Sequence, residues 1–436
     1  MNFTAGMDST TLAICALLIV LVPLAPAGLA LINSGFGRAR GASYAVFSSL
    51  IAMAIAAMVY CAVGFSWEGF AGRQAYFFRL GGKSWNWIAS EPFLLRGLEF
   101  HDSPATLAML LQVFLVGMAV LIPISTGAGR WKLRSICIST AMFAGWSFPL
   151  FAHWAWGGGW LAQLGANFGL GQGFLDAGGS GTVQAMGGLF ALSMAWILGP
   201  RRGKYTANGG SAAIPGHNIP YVLFGCALLV PGWIAMNAAG AMLFAGADFS
   251  QIALIAVNTM LSASASCLVA VAATRIRFSK PDASLCANGW VGGLVASSAV
   301  CCFVTPMIAI LVGLVAGALL TISVEILEMY LRVDDPGGAI SVHAVAGMWG
   351  LLAVGMFSHV ATLAAPAGPG SSGQLLAQVL GIATLLGVML PMIYGMNWLL
   401  NRIDPQRVAR SGDRSGMDLY ELGGTAYPEF VIHSDD

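Results

Sequence analysis

The chain has 436 residues, of which 57% are hydrophobic and only 9% charged, against about a quarter charged in an ordinary soluble domain. So much apolar surface excludes a soluble globular protein and makes lipid the solvent for most of the chain. A net charge of +1 without a long basic run excludes a nucleic-acid partner.

A helix of about 20 apolar residues crosses the hydrocarbon layer. By that measure eleven spans are predicted, beginning near residues 10, 42, 105, 135, 180, 219, 250, 285, 305, 339 and 375. The first run, Thr10 to Ile32, follows no basic segment and no clear cleavage site, so it is expected to stay as a helix. Pro306 and nearby glycines interrupt one long apolar stretch, which makes the eighth and ninth spans the hardest to separate. The high glycine content, 56 residues, suits close helix packing in lipid. The eight cysteines fall almost entirely in apolar stretches without a Cys-x-x-Cys pair and are expected to be small apolar fillers.

With the N-terminus outside, sixteen of the twenty Lys and Arg fall on the inner side. The other four, Arg73, Arg79, Lys83 and Arg96, share one outer loop between spans two and three. This asymmetry follows the positive-inside rule and would scramble if one span were miscounted. The expectation is an all-α integral membrane protein of the cell (plasma or inner) membrane, with residues 1–402 in the bilayer and 403–436 as a cytoplasmic tail.

Eleven spans divide into five, five and one, and an odd repeat unit must run upside down the second time. Inverted repeats of this kind place a solute site near the midplane at the repeat interface. Two echoes fit. GTVQAMGGLFAL (Gly181 to Leu192) in span five resembles ISVHAVAGMWGLL (Ile340 to Leu352) in span ten, with Gln184 matched to His343. Asn33 in GLALINSGFG and Asn237 in GWIAMNAAGA hold similar places in spans one and six.

An ionisable residue inside the membrane is a functional candidate by default. His343 is therefore either a core histidine satisfied by a carbonyl, or a pore residue partnered by Gln184. Asp176, ahead of Gly-rich sequence and span five, is a helix cap, a brace for an outer-mouth loop, or both. Trp156, in HWAWGGGW, is either an interfacial belt residue or a ring face for a small cation. No phosphate-binding loop, zinc-protease motif or nucleophile elbow occurs. Gly35-x-Gly37 lacks the strand context of a dinucleotide site. The chain is expected to be no enzyme and to need no cofactor or metal.

The segments PAGLALINSGFGRARG, AHWAWGGGWLAQLGA, GHNIPYVLFG, GWIAMNAAGA, LRVDDPGGAISVHAVAGMWG and SGMDLYELGGTAYPEF resemble the ammonium transporter/Rh family over nearly the whole chain. The resemblance implies a homotrimer in which each subunit holds its own narrow hydrophobic pore. It implies recruitment of ammonium at an outer vestibule by an aromatic cage and a Ser hydroxyl, deprotonation, and passage of ammonia past two stacked Phe rings. Two hydrogen-bonded pore histidines then help relay the proton, and a cytoplasmic PII-type regulator can plug the inner mouth.

Carried over by position, Trp156 matches the vestibule Trp, Asp176 the bracing Asp and His343 the second pore histidine. Gln184 stands where the first pore histidine would be, Met236 at one gate Phe, and Gly240 at the vestibule Ser. The other gate position falls at Leu115, with Phe114 beside it as an available vestibule aromatic. In the tail, Gly416, Asp418, Gly423, Ala426 and Tyr427 fit, while Leu422 and Gly424 replace a His and an acidic residue. An amide at 184 can hold His343 by hydrogen bonding, yet it cannot exchange a proton near neutral pH. The expectation is an ammonium/ammonia transporter or channel with a divergent pore. The alternatives are a non-conducting ammonium sensor signalling through the tail, or a channel for another small solute.

Overall fold

The computed structural model describes residues 7–69, 75–100, 103–206, 210–358 and 371–428. Among them, eleven helices are long and apolar enough to cross a membrane. They are α1 (Ser9–Phe36), α2 (Ala39–Glu68), α3 (Pro104–Thr126), α4 (Leu133–Ala155), α5 (Ser180–Leu198), α6 (Ile219–Phe244), α7 (Phe249–Phe278), α8 (Ala283–Val300), α9 (Pro306–Tyr330), α10 (Ile340–Phe357) and α11 (Gly373–Ile403). Each begins within a few residues of its expected start, including the doubtful eighth and ninth. Pro306 breaks no helix. It sits in the first turn of α9, where a missing N–H costs nothing, with Thr305 as the extended cap residue. Other starts are fixed by side-chain caps: Asp8 accepts from Thr11 N at 2.8 Å, and Asp282 from Leu285 N at 2.8 Å.

Helices α3 and α5 are mostly buried, whereas no more than a third of α2 or α9 is buried. Large apolar side chains such as Leu50, Met58, Leu268 and Met307 point outward. A water-facing surface of that kind would be unfavourable, while lipid accepts it at no cost. All eight cysteines are free thiols, four of them buried.

The first and second sets of five helices are inverted relative to each other, and their central crossing shows it most directly. A Cβ added to Gly28 of α1 would lie 2.6 Å from the Gly225 carbonyl oxygen, and one added to Gly225 of α6 would lie 2.6 Å from that of Gly28. The next contacts also exchange, Gly28 against Leu229 and Gly225 against Ile32. Reciprocal contacts between antiparallel helices are what a two-fold axis lying in the membrane plane produces. Only glycine allows backbones this close.

The segment between α2 and α3, expected as a loop, contains a hairpin: β1 (Ala75–Leu80) pairs antiparallel with β2 (Lys83–Ala89). Gly81 and Gly82, both at positive φ, make its two-residue turn. At the opposite face the tail folds back. Asp418 accepts from Tyr44 N at 2.7 Å and so caps α2, and Glu421 accepts from Leu133 N at 3.3 Å. Beside it, Asp334 lies between the buried side chains of Arg130 and Arg201, at 3.6 and 2.8 Å.

Candidate functional site

Helices α5 and α10 start in the same way from opposite faces. LDAGGSGTVQ precedes α5 and enters it; VDDPGGAISVH does so for α10. Both contain Asp-x-Gly-Gly, with the Asp eight residues ahead of Gln184 or His343. In each, a glycine in the left-handed region, Gly179 at φ 91° or Gly338 at φ 68°, turns the chain into a wide first turn of the helix.

Asp176 Oδ2 accepts from Gly181 N at 3.0 Å, Thr182 N at 2.7 Å and Thr182 Oγ1 at 2.9 Å. Asp335 Oδ2 accepts from Ile340 N at 2.7 Å, and its Oδ1 from Thr126 Oγ1 at 2.7 Å. Burial raises both carboxyls above the ordinary aspartate value, and the hydrogen bonds work against that rise. Asp176 Oδ1 remains buried without a protein partner. The sequence reading missed Asp335, although its eight-residue spacing to His343 was the available signal.

Where the two helices cross, a Cβ on Gly347 would lie 3.2 Å from Ala185 N, and one on Gly188 would clash with Ala344 N. Gly188 and Gly347 are each four residues beyond the matched polar positions, so this crossing obeys the same two-fold relation. It brings Gln184 and His343 together. His343 Nδ1 lies 2.7 Å from Gln184 Oε1, with both side chains buried. An amide oxygen only accepts, so His343 Nδ1 carries the hydrogen and Nε2 is left as an acceptor. Gln184 Nε2 has Met118 Sδ of α3 at 3.9 Å.

Above this pair, Met236 of α6 and Leu115 of α3 are buried. Leu115 shares a helix stripe with Met118 and Ile122, which touch Gln184 and Gly187. Phe114, about 100° off that stripe, is only partly buried. Trp156 faces inward: its indole N–H donates to the Asp176 carbonyl at 2.8 Å, and its ring lies flat against Phe244, centroids 4.3 Å apart and planes 8° apart. Gly240 presses on the same segment, since a Cβ there would lie 2.5 Å from the Ala177 carbonyl oxygen. The structure thus gathers Trp156, Asp176 and Gly240 at one end, and Gln184 with His343 farther in.

His343 is not the only buried histidine in a span. His153, near the end of α4, has Nδ1 2.6 Å from the Glu68 carbonyl and Nε2 3.1 Å from Asn86 Oδ1 of β2. Nothing in its local sequence separated it from an interfacial residue, because its partners come from α2 and the hairpin.

No group of three or more His, Cys, Asp or Glu among the described residues could hold a metal ion. The model of the Ammonium Transporter Family matches residues 10–427. The ammonium transporter Amt2 of Archaeoglobus fulgidus is 32% identical, the match covering 98% of this chain and 89% of the relative. The ammonium transporter of Bacillus subtilis is 27% identical over 97% of this chain and 98% of its own. Among solved structures, a sensor Amt protein matches with a TM-score of 0.84 and 27% identity, covering 95% of this chain and all of that one. Mep2 of Candida albicans shares the fold, with a TM-score of 0.79, 21% identity, and coverage of 94% and 89%. A family match over almost the full length, on an inverted eleven-helix scaffold, settles the assignment: the chain belongs to the ammonium transporter family.

Proposed function

We propose that the chain moves ammonium or ammonia through a pore in each subunit, with a Gln–His pair at its middle in place of two histidines. The observation that carries this reading is the 2.7 Å hydrogen bond between Gln184 and His343 at the crossing of α5 and α10. Trp156 forms the recruiting surface at the outer mouth, Phe114 of α3 is the second vestibule aromatic, and Asp176 holds that mouth in shape. Met236 and Leu115 form an apolar constriction, and Gly240 leaves the mouth without a hydroxyl. His343 can take a proton at Nε2, but Gln184 cannot pass one on, so a proton leaving deprotonated ammonium has no continuous imidazole route. The reading predicts ammonia-driven pH changes with weak or absent ammonium current. Recordings on solid-supported membranes, with an internal pH dye in parallel, test it. Neither signal rising above empty vesicles would sink it.

The family resemblance supports a homotrimer in the cell membrane, with the N-terminus outside and the tail in the cytoplasm. A PII-type regulator is the candidate inner-face partner, although Leu422 and Gly424 depart from the family's tail signature.

The likeness to a sensor Amt protein favours a second reading, an ammonium sensor that signals through its tail without conducting. It predicts saturable ammonium binding without flux, and a cytoplasmic partner lost on truncation after Arg402.

A further inference from the structure

His153 stands three residues before Trp156, and the turn at 157–159 is folded onto it. A Cβ on Gly157 would lie 2.6 Å from the Glu68 carbonyl oxygen and 2.7 Å from His153 Nδ1. Gly159 N donates to the His153 carbonyl at 2.9 Å. Asn86 of β2 closes this corner, and its side chain is buried with both ends of the amide engaged. Nδ2 donates to the Gly158 carbonyl at 3.2 Å, and Oδ1 faces His153 Nε2 at 3.1 Å. Its backbone N–H donates to Gln163 Oε1 at 2.8 Å, which holds the strand at the same loop.

A carbonyl oxygen only accepts, so the hydrogens of this corner can be assigned. The Gly158 carbonyl requires Nδ2 of Asn86 on its side, which leaves Oδ1 toward the ring. The Glu68 carbonyl, at 2.6 Å, requires a hydrogen on His153 Nδ1. Nε2 then meets an oxygen too, and the arrangement is satisfied only by a ring with a hydrogen on both nitrogens. A neutral ring with its hydrogen on Nδ1 would set the Nε2 lone pair against Oδ1. That clash is relieved if the Asn86 amide turns over, and the turn sets Oδ1 against the Gly158 carbonyl instead.

We propose that His153 is a positioning residue for ammonium recruitment, whose second proton ties the hairpin, through Asn86, to the turn beside Trp156. Charged, the ring keeps Asn86 in the orientation that bonds Gly158. Neutral, it releases that bond. The tie is therefore present at low pH and is lost as pH rises through the titration of His153. Other titratable groups stand around this corner. Glu68 reaches the ring with its carbonyl, while its carboxyl accepts from the Tyr60 hydroxyl at 2.7 Å. Glu91 lies against Gly69, next in the chain to Glu68. Lys83 of the hairpin is bonded to the Asn167 carbonyl and sits 3.7 Å from the Phe168 ring centre. Asp176 meets Trp156 through its carbonyl. The consequence for recruitment rests on the transporter reading, but the proton switch does not. Losing one hydrogen bond lowers the share of correctly placed turn, and with it apparent ammonium affinity, about fivefold.

The test uses the full chain in proteoliposomes with 15N-labelled histidine, the His153 signals being assigned by their loss in His153→Gln. Solid-state NMR follows both ring nitrogens between about pH 4 and pH 8, and the half-saturating ammonium concentration for flux is measured on the same vesicles. Nε2 is expected to gain a hydrogen on acidification while Nδ1 keeps its own throughout. Asn86→Ala removes the waiting oxygen and is expected to require about tenfold more acid for the same change. Asn86→Asp presents an oxygen in either orientation and is expected to shift the change the opposite way by a similar factor. A folding defect in one variant therefore leaves the other to decide. Half-saturation in the unsubstituted protein is expected to be about fivefold lower on the acid side of the His153 titration. Both variants lack the Gly158 bond and should lose that step. An Nε2 that takes no hydrogen in this range, or one titration shared by all three proteins, would overturn the switch. Titrations that move without any flux leave the switch standing and sink the transport reading. Flux without the step in the unsubstituted protein keeps the transport reading and removes His153 as a positioning residue.

Discussion

Gln184 keeps half of what an imidazole would offer at its position. It accepts the Nδ1–H of His343 at 2.7 Å, which fixes the ring and its tautomer, but its amide does not titrate near neutral pH. Two substitutions separate those halves. Gln184→Leu removes the acceptor and leaves a buried N–H unpaired, which costs about 1–3 kcal/mol. A lower midpoint of thermal unfolding in detergent would register it. Gln184→His restores a titratable partner and is expected to keep stability near the parent while creating or enlarging an ammonium-evoked current. No change in current would move the lesion to Met236 and Gly240, or count against transport. At this scale the sequence disclosed Gln184 and His343 because the repeat displays both in one local pattern. Asp335 went unnoticed because it sits beside Asp334 in a charged turn, where capping and ion pairing look alike. The stack of Phe244 on Trp156 was not legible at all. It depends on how closely α6 approaches a distant loop, which local periodicity does not encode.

At the level of elements, apolar length and terminal signals placed all eleven spans, because a membrane helix has to satisfy its backbone internally over a fixed thickness. The hairpin leaves no mark in long apolar windows, because its strands are a short aromatic run around Gly81–Gly82. What local sequence could not supply was which glycines are packing points. Gly28 and Gly225 meet across α1 and α6 with room for no added carbon. Gly225→Leu is therefore expected to force these backbones apart, at a cost of at least about 1–3 kcal/mol for overpacking. Gly387, which has no neighbour within 4 Å of an added Cβ, is expected to tolerate the same change within about 0.5 kcal/mol. Comparing the yield and melting temperature of the two variants checks this. Equal behaviour would remove the crossing as a determinant of the fold.

The whole molecule is pinned at its tail-bearing face by charges the helices bring together. Arg130 and Arg201 converge on Asp334, and all three are buried. Burial alone would raise the Asp334 carboxyl. The Arg201 hydrogen bond and the two guanidinium charges outweigh it and hold the group below the ordinary aspartate value. A carboxyl depressed in the folded state contributes stability above its unfolded value, near pH 4. That contribution is lost as pH falls through the lower folded value. Asp334→Ala strands two buried cations, an expected loss of about 3–5 kcal/mol. Its melting temperature should consequently stay low at neutral pH and lose the part of the acid dependence that the parent owes to this group. The tail adds a weaker clasp around this core. Asp418 caps α2, Asp413 pairs with Arg202 at 2.9 Å and Arg407 at 3.8 Å, and His217 Nε2 lies 3.1 Å from the Tyr427 hydroxyl. Asp413 is buried but its arginine partners are partly in solvent, so these pairs are screened, and the cap at the buried Asp418 is expected to contribute about 0.5–2 kcal/mol of the attachment. Asp418→Ala should therefore speed limited proteolysis within 410–428 several-fold while the global melting temperature barely moves. A tail that is cut no faster would mean that its other contacts suffice, and it would then be a fixed part of the body instead of an element free to engage a partner.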